Sequence, residues 1–344
     1  MSCPVLAVDL GGTWMRSAIV ENGRVTCPLK KGAPGFRLLG QQLTRLQRKF
    51  LDEMSALVDF YRAEGFNVSK FAIGFPGPIK DGYAYSAPTL WGNMRKPYPL
   101  LSELKKELGK KGIESIVIEN DVTAIGYSYL TEDNRTFCII TVSSGIGNKI
   151  FYEGRVMRGD AAIGGEIGHW YCGDEYRDFI CDCGQRGHLG AVSSGRGAEK
   201  IAERIKNNFK DISEIALLPE INTLHISTGL KKRDALALET LRIAVTPLAA
   251  AMNLINLATG VSKFVLVGGF ALSCGEIYIE SMKKTLDSLE FIGHFTDKKK
   301  RIDVSLGADN DNRALLGLGR IADESDVSDG AANINRAVSK RGVR

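Results

Sequence analysis

The chain has 344 residues, 44% of them hydrophobic and 25% charged, which is ordinary globular composition at a length that predicts two domains. Lys and Arg total 45 against 40 Asp and Glu, so the small positive excess argues against nucleic acid as a main partner. Since the sequence contains neither an 18-residue apolar run nor a signal-peptide pattern, a cytoplasmic protein without a membrane partner is expected.

The first part of the chain alternates predicted strands and helices. Apolar runs predict strands at Val5–Asp9 and Arg16–Val20, and Asn22-Gly23 after the second run is a strong hairpin signal. Further along come a helix over residues 41–62, a strand at Phe71–Phe75, a helix at Leu100–Leu108 and a strand at Ser115–Ile118. This order predicts an α/β fold with a mainly parallel sheet.

The second part opens in the same way as the first. A predicted strand at Phe137–Val142 is followed by a predicted hairpin turn at Gly154. Ile140 of this strand precedes Gly154 by 14 residues, the same spacing as between Asp9 and Gly23 in the first part. We interpret the match as an internal duplication giving two lobes that face a shared cleft. The remaining predicted elements are a helix at Ala198–Asn207, a long helix at Asp234–Leu257 interrupted by Pro247, a strand at Lys263–Val267, and helices at Cys274–Leu286 and Asn312–Ile321. The predicted lobes are 1–125 and 126–322, with the last helix able to pack back on the first lobe, and 323–344 form a tail.

Small residues follow three of these strands. Glycine lets backbone approach an anion closely, and a nearby carboxylate suits the Mg²⁺ that accompanies a phosphate. A plain glycine hairpin is an equally good explanation of the first loop alone, but the recurrence favours a nucleotide site. No Walker lysine and no Gly-x-Gly-x-x-Gly spacing occurs, which disfavours a P-loop or Rossmann site. The residues concerned are Asp9, Gly11, Gly12 and Thr13, then Ser143, Ser144 and Gly145, then Gly268 and Gly269.

Two short polar segments carry candidate substrate ligands. Asn120 and Asp121 follow a strand and open a helix, at the sheet edge where α/β proteins bind ligands. Asp121 could accept a proton, although helix capping explains the pair somewhat better from the pattern alone. Glu166 and His169, in a glycine-rich stretch, could bind sugar hydroxyls, bind metal, or form surface hydrogen bonds.

A cysteine- and histidine-rich stretch predicts a metal site. Seven cysteines are too few for a disulfide scaffold in a chain of this length. The four candidate ligands suit tetrahedral Zn²⁺ in a structural role, because protein would fill every position. The alternative is that Cys-x-Cys is only a pair of small residues in a loop. The predicted ligands are His169, Cys181, Cys183 and His188, with Cys172 as a substitute for the last.

Taken in order over residues 4–320, these motifs resemble the ROK family of sugar kinases and repressors, within the actin, Hsp70 and hexokinase-like superfamily. The motifs are "DLGGT", "IGFPGPI", "END", "SSGIG", "GGEIGH", "CDCGQRGH" and "LVGG". The resemblance implies a duplicated RNase H-like fold of the actin and hexokinase type, with two lobes and an interlobe cleft. It also implies a homodimer or homotetramer.

The resemblance implies an ATP-dependent kinase that phosphorylates a sugar hydroxyl. Asp121 corresponds to the general base, which would deprotonate the hydroxyl. The other implied sugar ligands are Gly77, Asn120, Glu166 and His169. ATP with Mg²⁺ would bind at the three small-residue loops, and Zn²⁺ at the histidine and cysteine set.

Five positions depart from the family pattern. His188 stands where a third cysteine is usual, and Gly190 where a glutamate usually contacts the sugar near its anomeric carbon. Asn148 and Lys149 replace glycines of the second phosphate loop. Thr89 replaces an asparagine, although Asn93 is near. The resemblance therefore predicts activity more firmly than it predicts the sugar.

Three functions fit these observations. The preferred one is a kinase acting on the 6-hydroxyl of glucose or of an N-acetylated hexosamine such as N-acetylmannosamine. The second is a sugar-responsive repressor, but the first strand begins by residue 5 and leaves no room for a helix-turn-helix. The third is a catalytically silent sugar or nucleotide sensor, for which Gly190 is the only positive sign.

Overall fold

The structure is a computed structural model that describes residues 3–35, 42–92, 94–159, 164–289, 302–308 and 312–324. Asn93 and most of the predicted tail lie outside these residues. The chain divides into two compact units. Unit 1 comprises Met1–Leu130, Asp160–Ala162 and Asn310–Arg344, and unit 2 comprises Thr131–Gly159 and Ile163–Asp309.

Unit 1 contains a five-stranded sheet in the order β3-β2-β1-β4-β7. β1, β4 and β7 are parallel, while β2 and β3 extend the sheet as antiparallel strands. The strands are β1 (Val5–Leu10), β2 (Trp14–Glu21), β3 (Arg24–Gly32), β4 (Lys70–Phe75) and β7 (Ser115–Asn120), with a small hairpin of β5 (Ile79–Lys80) and β6 (Tyr83–Ala84). The helices are α1 (Leu43–Ala63), α2 (Leu100–Gly109), α3 (Asp121–Tyr127) and a helix over residues 313–324, here α10.

Every residue of β1 is buried, because helices cover both faces of its sheet. Leu6, Val8 and Leu10 pack into one apolar cluster with α1 and α2, whereas Val5 and Ala7 pack into a second cluster with α10. In α10, a side chain at Gly317 would place its Cβ 1.7 Å from the carbonyl oxygen of Ala124. The last described helix therefore lies directly against α3 within unit 1.

Unit 2 repeats this strand order as β10-β9-β8-β11-β12. β8, β11 and β12 are parallel, and β9 and β10 are the antiparallel extension. The strands are β8 (Phe137–Val142), β9 (Ile146–Tyr152), β10 (Arg155–Val156), β11 (Lys263–Val267) and β12 (Asp303–Leu306). The helices are α4 (Leu189–Val192), α5 (Gly195–Ile205), α6 (Thr223–Lys231), α7 (Ala235–Thr259), α8 (Gly269–Cys274) and α9 (Glu276–Ser288).

The predicted duplication is confirmed by the two equal strand orders and by the two hairpin turns. Asn22 and Gly23 have φ of 49° and 70°, and Glu153 and Gly154 have φ of 50° and 83°. Positive φ at both central residues is the type I′ turn, whose twist matches that of the flanking strands. The same local geometry therefore closes the first hairpin of each sheet.

Two helix predictions need correction. The helix predicted over Cys274–Leu286 is α9 and begins two residues later, at Glu276, because Gly275 at φ 67° ends a short helix, α8, that the sequence did not predict. Pro247 does not interrupt α7, which runs continuously through it. Pro247 is buried, as are Val245 and Leu248 of the same helix, so packing of this helix in the core compensates for the missing backbone hydrogen bond.

The sequence patterns also missed α6 and β12. One described helix, α7, has the length and apolar composition of a membrane span, but 61% of its most apolar window is buried inside the protein. Packing in the core of unit 2 accounts for that composition.

Candidate active site

In unit 1, Asp9 and Asp121 lie at the carboxyl ends of two parallel strands, β1 and β7, which flank β4. Gly74 of β4 is between them: a Cβ there would lie 3.7 Å from Asp9 Oδ1 and 3.6 Å from Asp121 Cα. β4 pairs with β1 on one side and with β7 on the other. The sheet thus brings together two acidic residues that are far apart in sequence, at the edge where parallel strands present their ligands.

Asp9 is almost fully buried, and its Oδ2 accepts a hydrogen bond from Arg16 Nη1 at 3.2 Å. The loop that follows turns back at once, since Gly11 N donates to the carbonyl of Trp14 at 2.9 Å. Gly12 packs closely, because a Cβ at this position would lie 2.7 Å from the Cβ of Thr89. A side chain at position 12 would therefore displace the Thr89 segment.

Asn120 is the N-cap of α3. Its Oδ1 accepts hydrogen bonds from Val122 N and Thr123 N at 3.1 and 3.2 Å. Its Nδ2 donates to Asp121 Oδ1 at 2.9 Å and to the carbonyl of Gly77 at 3.3 Å. The capping explanation is therefore right for Asn120, which also ties the segment around Gly77 to the start of the helix.

Asp121 is the first residue of α3, and it is held by the cap. Its Oδ1 accepts from Asn120 Nδ2 and from its neighbour's backbone, Val122 N, at 2.9 Å each. Two donors on one carboxylate oxygen restrict the orientation of the group. A carboxylate oriented in this way suits a general base.

Gly77 occupies a position where no side chain fits. A Cβ there would lie 1.9 Å from the carbonyl oxygen of Ser86. Its backbone N–H donates to Phe75 O at 2.9 Å, and its carbonyl receives the hydrogen bond from Asn120. The close approach of the Ser86 backbone explains the glycine of "IGFPGPI", and the Asn120 contact connects that motif to "END".

In unit 2, the loop Ser143–Gly145 is fixed by the start of α5. Gly195 N donates to Ser143 O at 2.8 Å, and Arg196 Nε donates to Ser144 O at 2.6 Å. A Cβ on Gly145 would meet nothing within 4 Å. The carbonyls of Ser143 and Ser144 are therefore bound by the start of α5, while the space beside Gly145 is open.

Gly268 and Gly269 form the turn between β11 and α8. Gly268 has φ 96°, and a Cβ there would lie 2.8 Å from backbone atoms of Val142. The positive φ and the close Val142 backbone therefore explain the glycine at position 268 without a nucleotide contact. Gly269 differs, because a Cβ at that position would meet nothing within 4 Å.

The two residues that replace family glycines, Asn148 and Lys149, secure the segment that carries Glu166. Asn148 Oδ1 accepts from Ile167 N at 3.1 Å, and Lys149 Nζ donates to Gly164 O at 2.5 Å. Both side chains are buried. The departure from the pattern thus leaves the neighbouring loop braced by side-chain hydrogen bonds.

The four predicted metal ligands converge in unit 2. Their ligand atoms all lie within 4.8 Å of one another. The Nδ1 atoms of His169 and His188 are 3.4 Å apart, Cys183 Sγ is 3.3 Å from His188 Nδ1, and Cys181 Sγ is 3.8 Å from His169 Nδ1. Ligands of a tetrahedral zinc ion are separated by about 3.3–3.8 Å at the usual bond lengths. The donor set therefore fits zinc in chemistry, and these three distances match the separation of its ligands.

The protonation of this cluster also suits metal binding. Burial lowers the pKa of His188, and the neighbouring His169 lowers it further, which keeps the imidazole neutral as a ligand must be. His169 Nε2 lies 4.0 Å from Glu166 Oε2. If Nδ1 of His169 binds the metal, this carboxylate can orient the ring from the other side.

Cys172, the substitute ligand, is not a member of the cluster. Its Sγ donates to the carbonyl of Trp170 at 3.7 Å, and burial raises the pKa of its thiol to about 12. Its Sγ atom lies outside the group of ligand atoms that the other four residues form. Among the described residues, His188 is therefore the fourth member of the set.

Gly190, where the family pattern has a glutamate, is the second residue of α4. A Cβ there would lie 3.2 Å from the carbonyl oxygen of Gly168 and 3.7 Å from Ile146 N. The position thus borders both the "GGEIGH" segment and the second phosphate loop. A missing side chain here removes a carboxylate from the vicinity of Glu166 and His169.

Comparison with known proteins identifies the family. The profile of the ROK family matches residues 5–324. The chain belongs to the ROK family. It is 33% identical over 336 residues to a C(7)-cyclitol 7-kinase of Streptomyces hygroscopicus subsp. limoneus, covering 93% of this chain and 94% of that protein. It is 26% identical over 292 residues to an N-acetylmannosamine kinase of Vibrio cholerae, covering 84% and 91%.

The crystal structure of a ROK family glucokinase from Streptomyces griseus, in complex with glucose and AMPPNP, has the same fold. Its TM-score is 0.74 at 21% identity, with 93% of this chain and 99% of that chain covered. The predicted two-lobed α/β fold of the actin and hexokinase type is therefore confirmed. This ROK family member is a sugar kinase.

Arg196, which the sequence motifs did not single out, contacts the predicted second phosphate loop. It lies in "SSGRG", where glycines and serines surround a single charged residue, as they do in anion-binding loops. That composition was the available signal. The hydrogen bond to Ser144 joins residues 52 positions apart, so sequence spacing could not reveal the contact.

Proposed function

We propose that this ROK kinase transfers the γ-phosphoryl group of ATP to a hydroxyl of a cyclic polyol, with Asp121 as general base. The observation that carries the proposal is the Asp121 carboxylate, held by two hydrogen bonds at the carboxyl edge of β7, with the buried Asp9 on the far side of Gly74. An alcohol is a poor nucleophile until its proton is removed, and a positioned base contributes about 10²- to 10⁴-fold.

The remaining residues act by binding and positioning. Asn120 and Gly77 would bind acceptor hydroxyls on the Asp121 side, and Glu166 and His169 would add further contacts. The proposed nucleotide-binding segments are residues 11–13 in unit 1, and residues 143–145 with Gly268 and Gly269 in unit 2. Mg²⁺, held through Asp9, would supply charge neutralisation on the phosphates.

We infer that the acceptor is a carbocyclic polyol rather than an aldose. Two observations support this: the similarity to the cyclitol kinase extends over 93% of the chain, and Gly190 replaces a glutamate that the family resemblance places near the anomeric carbon. An all-carbon ring has no anomeric hydroxyl, so it does not need that carboxylate. Glucose and N-acetylmannosamine are the competing acceptors.

The acceptor is tested by ADP release with a C7 cyclitol, glucose, mannose, N-acetylglucosamine and N-acetylmannosamine at equal concentrations. We expect kcat/KM for the cyclitol to exceed that for each aldose by at least tenfold, which corresponds to about 1.4 kcal/mol of transition-state binding. A higher kcat/KM for an aldose would overturn the cyclitol assignment. ADP release no greater than the water background with every acceptor would overturn the kinase proposal and favour a silent sensor.

The general base is tested by Asp121→Asn. The amide keeps an oxygen for Val122 N but cannot take a proton, so we expect kcat to fall about 10²- to 10⁴-fold with little change in KM. Asp133→Asn, at an exposed position, is the matched control and should behave as wild type. Equal kcat in both variants would show that Asp121 is not the base.

A zinc ion at His169, Cys181, Cys183 and His188 would be structural, since four protein ligands leave no open position. We propose that it orders the loop that carries His169, and thereby the neighbouring Glu166. Elemental analysis of protein purified without added metal should find about one equivalent. A well-folded protein free of zinc would contradict this part of the proposal.

A further inference from the structure

Two consecutive residues at the start of α5 hold two consecutive carbonyls of the second phosphate loop. Gly195 N donates to Ser143 O at 2.8 Å, and Arg196 Nε donates to Ser144 O at 2.6 Å. Gly195 has no room for a side chain, since a Cβ would lie 2.8 Å from Thr223 Cγ2 and 3.1 Å from Ser143 O. The loop and the helix start are therefore in direct contact.

This contact determines where the loop directs its amide hydrogens. In a planar trans peptide, the C=O of one residue and the N–H of the next point in opposite directions. With the carbonyls of Ser143 and Ser144 turned toward α5, the N–H groups of Ser144 and Gly145 point away from it. Within the described residues, neither N–H donates a hydrogen bond, so both are available to an anion.

The other two nitrogens of the Arg196 guanidinium bind the loop that carries the cysteine ligands. Its Nη2 donates to Asp182 Oδ2 at 2.6 Å, and its Nη1 to Asp182 Oδ1 at 3.2 Å. Asp182 lies between Cys181 and Cys183, two members of the predicted zinc set. A bidentate pair fixes the plane of the guanidinium as well as its position.

We propose that Arg196 is a positioning residue through which the metal-ligand cluster orients the second phosphate loop. The proposal rests on the nucleotide site given above. Cys181 and Cys183, when bound to metal, fix the backbone on both sides of Asp182; Asp182 then aligns Arg196, and Arg196 holds the Ser144 carbonyl. Lysine cannot replace arginine here, because one ammonium cannot serve the carboxylate and the carbonyl with a fixed geometry.

A solvent-exposed ion pair without this role would have little effect on nucleotide binding. Both side chains are partly exposed, and such pairs usually contribute little to stability. The pair Arg177 and Asp174 is the matched comparison: its Nε to Oδ1 distance is 3.0 Å, it lies in the same region of the chain, and it is even more exposed. Arg177→Lys therefore controls for the loss of a surface ion pair.

The first experiment measures AMPPNP affinity by calorimetry in zinc-loaded wild type, Arg196→Lys, Asp182→Asn, the double variant and Arg177→Lys. We expect about a tenfold loss of affinity in both single variants, no further loss in the double variant, and wild-type affinity in Arg177→Lys. Circular dichroism confirms that each variant is folded. Wild-type affinity in folded Arg196→Lys or Asp182→Asn would overturn the inference.

The second experiment tests the connection to the metal. Linkage requires that, if zinc strengthens nucleotide binding, the nucleotide must strengthen zinc binding equally. With Mg²⁺ in excess, AMPPNP should reduce the zinc that a zinc-selective chromogenic chelator removes from wild type and Arg177→Lys, but not from Arg196→Lys. Equal zinc removal with and without AMPPNP in wild type would overturn the coupling.

These measurements separate the inference from the proposed function. If wild type binds no AMPPNP, the nucleotide site itself is wrong, and the inference fails with it. If wild type binds AMPPNP and turns over an acceptor while Arg196→Lys binds equally well, only the inference fails. In steady-state kinetics, we expect Arg196→Lys to raise KM for ATP and to leave KM for the acceptor within about twofold of wild type.

Discussion

Asn120 combines a structural role with the role proposed for it in substrate binding. Its side-chain oxygen caps α3 by accepting from two backbone N–H groups, and its amide nitrogen donates to Asp121 and to the carbonyl of Gly77. N-capping and substrate positioning were alternatives in the sequence, but the geometry allows both at once. A residue that satisfies a helix start is already fixed in place, so little additional ordering is needed when a ligand binds.

Replacing Asn120 with Ala should therefore reduce both stability and turnover. Loss of the cap is expected to lower the free energy of unfolding by about 1 kcal/mol, and loss of the amide contact should lower kcat as Asp121 becomes mobile. Urea unfolding and steady-state kinetics measure the two effects.

The control for Asn120→Ala is Asp234→Ala, which removes the cap of α7, where Oδ1 accepts from Leu236 N and Ala237 N. That variant should lose a similar or larger free energy of unfolding while kcat stays unchanged. If kcat falls equally in both variants, the effect of Asn120 is only structural.

Single substitutions can also decide whether His188 or Cys172 is the fourth zinc ligand. His188→Ala should remove most of the bound zinc, because three ligands remain, whereas Cys172→Ser should retain about one equivalent. Elemental analysis after exhaustive dialysis distinguishes them. Zinc loss in Cys172→Ser with retention in His188→Ala would reverse the assignment.

At the scale of elements, the turns that end β8 and β11 are in contact. Gly268 needs both a positive φ and the absence of a Cβ, because Val142 backbone is against it. Gly260, the C-cap of α7, has φ 74° but open space around it. The two glycines thus share a backbone conformation and differ in their surroundings.

Alanine substitution at these two glycines should have unequal effects. Gly260→Ala is expected to cost about 1 kcal/mol from the backbone conformation alone. Gly268→Ala should cost more, by about 1–3 kcal/mol, since Val142 must also move. Urea unfolding followed by circular dichroism measures both, and equal losses would show that the contact with Val142 relaxes without cost.

At the scale of the whole molecule, buried thiols make the stability of the folded protein depend on pH. Burial raises the pKa of Cys138, Cys172 and Cys274 to about 12, against 9.0 for an unperturbed thiol. The unfolded chain therefore loses these protons first as pH rises. The stabilisation from keeping the thiols neutral is complete below pH 9 and is lost between pH 9 and about 12.

We expect the free energy of unfolding to decrease as pH rises above 9, by up to about 1.4 kcal/mol per pH unit for each thiol. Urea unfolding under reducing conditions at pH 8, 9, 10 and 10.5 measures the slope. The variant with Cys138→Ala and Cys274→Ala should have a shallower slope, whatever its stability at pH 8. Identical slopes would show that other groups cause the decrease.

The homodimer or homotetramer stays a prediction, which light scattering can test.

The sequence by itself determined the duplicated α/β fold, the order of the predicted phosphate-binding motifs and the four members of the histidine and cysteine cluster. These follow from local patterns: strand periodicity, Asn-Gly turns, glycines at strand ends, and histidines beside a Cys-x-Cys pair. Only the tertiary structure decided that α7 continues through Pro247, that α10 packs against α3, and that Arg196 joins Asp182 to Ser144. Each of these depends on burial or on side-chain contacts between distant residues, and no local pattern in the chain encodes which distant atoms will meet.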